Sequence, residues 1–158
     1  MLGLRRYRTV QIDIWQGHAS QFAADCLVSF EVEDSPQIAL KNMDSSAAAT
    51  TILRASLPSS TNWNAYDWES LFLKIFELAE RSGLRHLVVP GRPMCFPDDV
   101  GSDAFAKAGF RSLHQWLDSK CSIKLGRVTF VADNADGYHI LQEHLFAEYA
   151  DELDDEGF

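Results

Sequence analysis

The sequence predicts an α/β protein, folded as a three-layer α/β/α sandwich. Strand and helix patterns alternate along the second half of the chain, from residue 66 to residue 149. Such alternation is typical of parallel strands joined by right-handed crossovers, with helices on both faces of the sheet. At 158 residues and 46% hydrophobic content, the chain suits a single core. We therefore expect one domain over residues 1–150 and an acidic tail over residues 151–158.

The first half of the chain predicts three strands. Polarity alternates over residues 7–14, which indicates a half-buried strand, and a short apolar run at 26–30 suits a more central one. A single helical turn is expected near residues 20–22. Residues 33–50 carry breakers and small polar residues and give no firm assignment, whereas residues 51–57 predict another strand.

The firmest helix is predicted over residues 66–82. Its apolar residues recur at three- and four-residue steps and form one stripe: Trp68, Leu71, Phe72, Ile75, Phe76 and Ala79. Gly83 then supplies a stop signal. A buried strand over residues 84–90 comes next.

Two further helices and one strand complete the prediction. The helix over residues 103–120 has an apolar face formed by Phe105, Ala108, Leu113, Trp116 and Leu117. A strand over 128–132 and a helix over 137–149 come after it. No internal repeat or linker divides the domain.

The charge distribution argues against nucleic acid as a partner. The net charge is −9, and six of the acids lie in the last eleven residues: Glu148, Asp151, Glu152, Asp154, Asp155 and Glu156. The remainder of the chain has no basic excess, which binding through nucleic-acid phosphates requires. The cluster Arg5, Arg6 and Arg8 suits a solvated strand edge. The tail is either a solubilising end or a segment that selects a basic protein partner.

The sequence indicates no membrane span, disulfide framework, metal site or cofactor. There is no apolar run of 18 residues, and no apolar segment comes after the N-terminal arginines. The three cysteines are far apart and form no C-x-x-C pair, and His139 and His144 do not have zinc-helix spacing. A cytoplasmic location is expected.

The loop over residues 91–97 is the candidate phosphate site. It lies between a strand and a helix, and such loops bind anions through backbone N–H groups and the helix macrodipole. Arg92 can pair with a diphosphate, or it can be a solvated side chain. The alternative for the whole loop is an ordinary turn, with Gly91 and the two prolines serving backbone geometry.

Three stretches resemble the macrodomain family of ADP-ribose-binding modules. Residues 11–14, Gln-Ile-Asp-Ile, are similar to the G-D-I opening of that family, without its glycine. Residues 24–28, Ala-Asp-Cys-Leu-Val, are similar to the A-D-A-I-V strand. Residues 88–97 are similar to the strand and diphosphate loop that ends in an aromatic-Pro pair, and residues 127–133 suit the final strand.

The resemblance implies a mixed, mostly parallel sheet and a set of ligand contacts. Asp13 would accept a hydrogen bond from an adenine amino group, unless it caps a following turn instead. The remaining implied ligand-binding residues are Ile14, Gly91, Arg92, Cys95, Phe96, Asp133 and Asn134.

The residues after the second of these stretches place catalysis of the macrodomain kind in doubt. Residues 29–32, Ser-Phe-Glu-Val, replace the family's N-A-A-N, and the glycine-rich loop is missing. The weak candidates for chemistry are Asp98 or Asp99 as a general base and Cys95 as a nucleophile. The two acids also suit turn formation or capping.

The sequence thus predicts a module that binds ADP-ribose or a related adenine nucleotide, with weak or no hydrolase activity. The alternative is a protein-interaction or regulatory module that kept the scaffold and lost the ligand.

Overall fold

The structure is a computed structural model, and it describes residues 3–7, 10–18, 24–32, 37–42, 49–57, 65–91, 102–120 and 123–149. The strands are β1 (Gly3–Tyr7), β2 (Val10–Gln16), β3 (Ala24–Val32), β4 (Gln37–Asn42), β5 (Ala49–Leu57), β6 (His86–Pro90) and β7 (Arg127–Ala132). The helices are α1 (Ala65–Arg81), α2 (Ser102–Asp118) and α3 (Ala135–Glu148).

The sheet is mixed and mostly parallel, as predicted. Its seven strands lie in the order β1-β2-β7-β6-β3-β5-β4. The five strands from β2 to β5 in that order pair in parallel, while β1 and β4 are antiparallel and form the two edges. The fold class is therefore an α/β sandwich with a parallel centre.

Two strands depart from the prediction. The strand expected over residues 7–14 begins at Val10 as β2, and Tyr7 instead ends a separate antiparallel strand, β1, that pairs with β2 across a two-residue connection. That connection contains no Gly, Asn, Asp or Pro, so the usual signal of a hairpin is missing. β4 was not predicted, and it pairs with β5 from Gln37 to Asn42. The helical turn expected at 20–22 lies outside the described residues.

The prediction placed helices on both faces of the sheet, and the three described helices all pack on one of them. The predicted stripe of α1 is buried, and it shares one core cluster with α2, α3 and alternate residues of the central strands. Gly109 on α2 permits close packing of this helix, since a Cβ there would lie 3.2 Å from the Phe130 ring and 3.3 Å from the Phe72 ring. Among the described residues, no helix is long and apolar enough to cross a membrane.

The last turn of α1 ends as the sequence predicts. Gly83 has φ +73°, a left-handed conformation that glycine adopts without strain. The backbone N–H of Leu84 donates to the carbonyl of Ala79 at 3.1 Å, which closes the helix. The chain then turns directly into β6.

Candidate functional site

Three parallel strands end side by side at the carboxyl edge of the sheet. The N–H of Gly17, just after β2, donates to the carbonyl of Ala132 at 2.8 Å. The N–H of Gly91, just after β6, donates to the carbonyl of Val131 at 2.7 Å. In open α/β sheets, ligands bind outside the carboxyl ends of the strands. We call this region the carboxyl-edge site; its described residues are Gly17, His18, Gly91, Asp133 and Asn134.

Gly91 is required by packing at this edge. A Cβ at Gly91 would lie 3.0 Å from Cδ1 of Leu141, 3.1 Å from the carbonyl oxygen of Val131 and 3.3 Å from Cα of Ala132. The end of β6 therefore lies directly against β7 and α3. This close contact explains why residue 91 is a glycine. It agrees with the alternative reading of the loop, in which Gly91 serves backbone geometry.

Asn134 caps α3. Its Oδ1 accepts a hydrogen bond from the N–H of Gly137 at 2.7 Å, and its own backbone is extended. Asp133 and Asp136, on either side of this cap, are exposed. Two carboxylates beside the N-terminus already complement the helix macrodipole there.

Asp13 lies at the centre of β2 rather than at its end. Its side chain is fully buried, and its Oδ2 accepts hydrogen bonds from Nη2 of Arg127 at 2.6 Å and from Nε1 of Trp15 at 3.1 Å. Its Oδ1 accepts from the hydroxyl of Thr129 at 2.7 Å. The carboxylate thus ties β2 to β7 on the sheet face opposite the three helices.

The environment of Asp13 keeps it ionised. Burial alone would raise its pKa, but hydrogen bonds from Arg127, Thr129 and Trp15 and the positive charge of Arg127 together lower that pKa below its ordinary value. A buried carboxylate with several donors is the arrangement in which the charged form is favoured.

Comparison with known proteins identifies the fold. No family model and no curated protein match the sequence. Among solved structures, a mutant of the Oceanobacillus iheyensis macrodomain superposes with a TM-score of 0.76 at 12% identity, over 94% of this chain and 93% of that one. The Trypanosoma brucei macrodomain in complex with ADP-ribose gives 0.70 at 11% identity, over 84% and 68%. Its complex with ADP gives 0.67 at 12%, over 84% and 67%.

The chain has a macrodomain-like fold. The predicted resemblance is confirmed at the level of architecture, since likeness at 11–12% identity speaks to the fold.

Asp13 does not lie at the end of its strand. It is three residues short of the last residue of β2, Gln16. The residues at the strand end are Gly17 and His18, and His18 is exposed. Asp13 does not cap a following turn either, because the strand continues past it. Ile14 is fully buried in the core cluster that contains the helices.

A hydrogen-bonded group of side chains surrounds Asp13, and we call it the sheet-face network: Asp13, Trp15, His86, Arg127 and Thr129. Nε2 of His86 lies 2.8 Å from Oγ1 of Thr129. The only hydroxyl proton of Thr129 is donated to Asp13, so Nε2 of His86 must be the donor in this contact. The direction of the hydrogen bonds thus assigns a proton to Nε2 of His86.

Trp15 extends this network toward the carboxyl edge. Its indole is half-buried and packs against the buried cluster that Leu27, Val88 and Val131 form. In register, Trp15 lies beside Val131 on β7, and Val131 lies beside Pro90 on β6. These three residues form the last row of this sheet face before the carboxyl-edge site.

Sequence reasoning did not find the partners of Asp13. Arg127 and Thr129 were assigned only to the final strand, and His86 only to the strand over residues 84–90. A signal was present, because polar residues alternate with apolar ones in both β2 and β7, at 11 and 13 and at 127 and 129. An acid within an apolar strand needs donors nearby. The alternation places such donors on one face.

The loop after β6 contains the other candidate residues from the sequence. Arg92, Cys95, Phe96, Asp98 and Asp99 lie outside the described residues, so their roles stay predictions. No group of three His, Cys, Asp or Glu side chains within the described part of the chain is placed to hold a metal ion.

His114 on α2 contacts the end of α3. It is half-buried, with Nδ1 2.9 Å from Oε2 of Glu148 and Nε2 3.7 Å from Oδ2 of Asp118. Its ring also lies 4.9 Å from that of Tyr149. The residue therefore fastens α2 to the end of α3 and lies outside the carboxyl-edge site.

Proposed function

We propose that this macrodomain-like domain binds ADP-ribose or a related adenine nucleotide at the carboxyl-edge site. The observation that carries the proposal is the shared fold, which extends over 84% of this chain in the comparison with a macrodomain solved with ADP-ribose. A second structure of that protein contains ADP. Both ligands contain an adenosine diphosphate unit, which fits a site between parallel strand ends.

Charge suggests how the ligand would lie in this site. Asp133 and Asp136 are exposed beside the start of α3 and would repel a diphosphate. The loop after β6 begins with Gly91 and Arg92 and has no acid before Asp98. We therefore place the diphosphate over that loop and the nucleoside toward β2 and β7.

Asp13 as a direct adenine ligand stays a prediction. Both of its carboxylate oxygens accept hydrogen bonds from protein side chains, and the side chain is fully buried. Replacing Asp13 with Ala would leave Arg127 and Thr129 without their acceptor, so that variant tests the fold as well as the site. Exposed residues of the carboxyl edge are better probes.

The test is isothermal titration calorimetry with ADP-ribose on the wild type and on three variants. His18→Ala and Asp133→Ala change exposed residues of the carboxyl-edge site. Lys124→Ala changes an exposed residue before β7, at the opposite edge, and is the matched control. We expect micromolar binding that at least one edge variant changes several-fold and the control leaves unaltered. Absence of heat at millimolar ligand would contradict the proposal and favour the protein-interaction module.

Hydrolase activity is proposed to be weak or absent, because residues 29–32 lack the family's N-A-A-N. The assay is release of ADP-ribose from modified protein, comparing the wild type with an Asp98→Ala, Asp99→Ala double variant. Equal background release from both proteins is the expected result. Turnover by the wild type that the double variant loses would instead establish an enzyme with an acidic general base.

A further inference from the structure

Three basic residues gather at the amino edge of the sheet, where β6 and β7 begin. The carbonyl of Arg85 accepts hydrogen bonds from the backbone N–H groups of Gly126 and Arg127 at 2.8 Å and 3.0 Å. Lys124 comes just before Gly126 in the chain, so its backbone lies beside the same contact. Arg85 and Lys124 are exposed, and the Arg127 side chain is 37% exposed. We call Arg85, Lys124 and Arg127 the amino-edge cluster.

Two carboxylates contact this cluster and leave donors available on it. Asp13 accepts from Nε and Nη2 of Arg127, and Nη1 has no hydrogen-bond partner among the described residues. Glu80 accepts from the backbone N–H groups of Lys124 and Leu125, at 2.9 Å and 3.0 Å. Within the described ranges, the ammonium group of Lys124 has no ion-pair partner. Both cationic groups can therefore accept an anion.

Helix α3 carries the chain from the carboxyl edge toward the amino-edge cluster. It packs on β2 and β7, and Leu141 lies at the carboxyl edge, 3.0 Å from where a Cβ on Gly91 would be. From Leu141 to Tyr149 the helix advances about 12 Å, while β7 spans about 17 Å from Ala132 back to Arg127. Along the strand direction, Tyr149 therefore comes within about 5 Å of the level of Arg127.

The acidic tail continues from this point. Residues 150–158 lie outside the described ranges; their acids are Asp151, Glu152, Asp154, Asp155 and Glu156, and they contain no Lys or Arg. The chain from residue 149 to residue 156 can span up to about 25 Å. That reach exceeds the width of a helix, about 10 Å, plus one strand spacing of about 5 Å. The acids of the tail can therefore contact the amino-edge cluster.

Charge and tethering both favour that contact. A single exposed ion pair contributes little, but the tail offers five carboxylates to three cations. The two partners belong to one chain, and a short tether sets their effective concentration in about the millimolar range. At 0.1 M salt the screening length is about 10 Å, so the tail and the cluster attract each other across the amino edge.

We propose that residues 151–156 dock on the amino-edge cluster of the same molecule. The basic partner of the tail is then this chain itself rather than a second protein. The proposal does not depend on the proposed function, because the cluster lies at the opposite edge of the sheet from the carboxyl-edge site. A cluster occupied by the tail is closed to other acidic peptides, so the tail is an internal competitor for such partners.

Zero-length carbodiimide crosslinking of the full chain tests the docking, because this reagent joins an amine only to a carboxylate that touches it. After separation of the monomer, mass spectrometry compares tail crosslinks at Lys124 with those at Lys107. Lys107 is the matched control: it is exposed on α2, one turn from Phe110, whose carbonyl accepts from the Tyr149 hydroxyl at 3.3 Å. An undocked tail reaches both lysines, whereas a docked tail should favour Lys124 about tenfold at 0.1 M salt.

Salt and one substitution separate docking from chance contact. About 1 M salt shortens the screening length to about 3 Å and should bring the two crosslink yields within about twofold of each other. Arg85→Gln should lower the Lys124 yield several-fold at low salt, whereas Arg111→Gln, at an exposed residue of α2, should leave it unaltered. Equal yields at both salt concentrations would overturn the proposal. Tail crosslinks confined to dimers would overturn docking within one molecule and establish docking between two copies.

Discussion

Arg127 and Asp13 form an ion pair between two parallel strands whose residues are 114 positions apart in the sequence. Nη2 of Arg127 lies 2.6 Å from Oδ2 of Asp13, and Nε lies 3.1 Å from the same oxygen. The carboxylate side chain is fully buried, whereas the Arg127 side chain is 37% exposed. The pair therefore has one desolvated partner and one that water reaches.

The first prediction concerns Arg127→Met, which keeps an apolar stem and removes the charge. Breaking a buried pair costs about 3–5 kcal/mol, and exposure of Arg127 reduces the expected loss to about 2–3 kcal/mol. Urea unfolding of the wild type and the variant measures this loss in the free energy of unfolding. Arg111→Met is the control, because the Arg111–Glu69 contact is longer, at 3.4 Å, and the Arg111 side chain is 51% exposed. Its expected cost is below about 1 kcal/mol. Equal costs for the two variants would contradict the prediction.

The second prediction concerns pH. The pKa of Asp13 is lowered in the folded protein, so its contribution is fully present above the unfolded value of about 3.9 and is lost as pH falls through the lower folded value. The stability advantage of the wild type over Asp13→Asn should therefore shrink between about pH 5 and pH 2.

Urea midpoints measured across that range provide the check. The pKa of Glu77 is also lowered, chiefly by hydrogen bonds from Lys120 and Trp116. Glu77 is present in both proteins, so its contribution cancels in the difference. An advantage that stays constant or grows on acidification would refute the role assigned to Asp13.

The third prediction concerns the close approach at Gly91. Gly91→Ala places a methyl group against Leu141 and the β7 backbone, and overpacking of this kind costs about 1–3 kcal/mol. Gly126→Ala is a matched control, since its Cβ would meet nothing nearer than the Arg85 carbonyl oxygen at 3.8 Å. Thermal unfolding should separate the two variants clearly. A Gly91→Ala protein as stable as Gly126→Ala would contradict the prediction, because Leu141 and the β7 backbone would then move aside at little cost.

The fourth prediction separates two roles of Asn134. As the N-cap of α3 it should be replaceable by Ser with little loss, whereas Asn134→Ala should cost about 1 kcal/mol. If Asn134 also contacts the nucleotide, Asn134→Ser should weaken ADP-ribose binding while leaving the unfolding midpoint near that of the wild type. Calorimetry and urea unfolding on the same protein samples give both values. A Ser variant that loses as much stability as the Ala variant would argue against the cap.

Local patterns predicted the helices well because their burial repeats within a few residues. The stripe from Trp68 to Ala79 is buried, as its spacing required. The edges of the sheet were harder to predict. β1 and β2 are joined without a turn residue, and β4 lies in a span rich in breakers, so neither boundary had a local signal.

The position of the strand ends could be predicted from the order of the elements, whereas the ligand contacts of the candidate site stay predictions. Gly91 and Asn134 both lie at the carboxyl edge. The partners of Asp13 could not be predicted from the sequence. Arg127 and Thr129 lie on β7, 114 and 116 positions further along the chain. Contacts of that separation depend on sheet order and register, which a single sequence specifies only weakly.

The pairing of β2 with β7 also has a consequence for synthesis. The parallel neighbour of β2 is translated 114 residues after it, counted from Asp13 to Arg127. At about 5–20 residues per second, the β1–β2 hairpin waits roughly 6–23 seconds on the ribosome for β7. Such non-local pairing makes folding slow, and the centre of the sheet closes only after β7 has emerged. During that interval the nascent chain exposes the unpaired edge of β2 and must remain soluble.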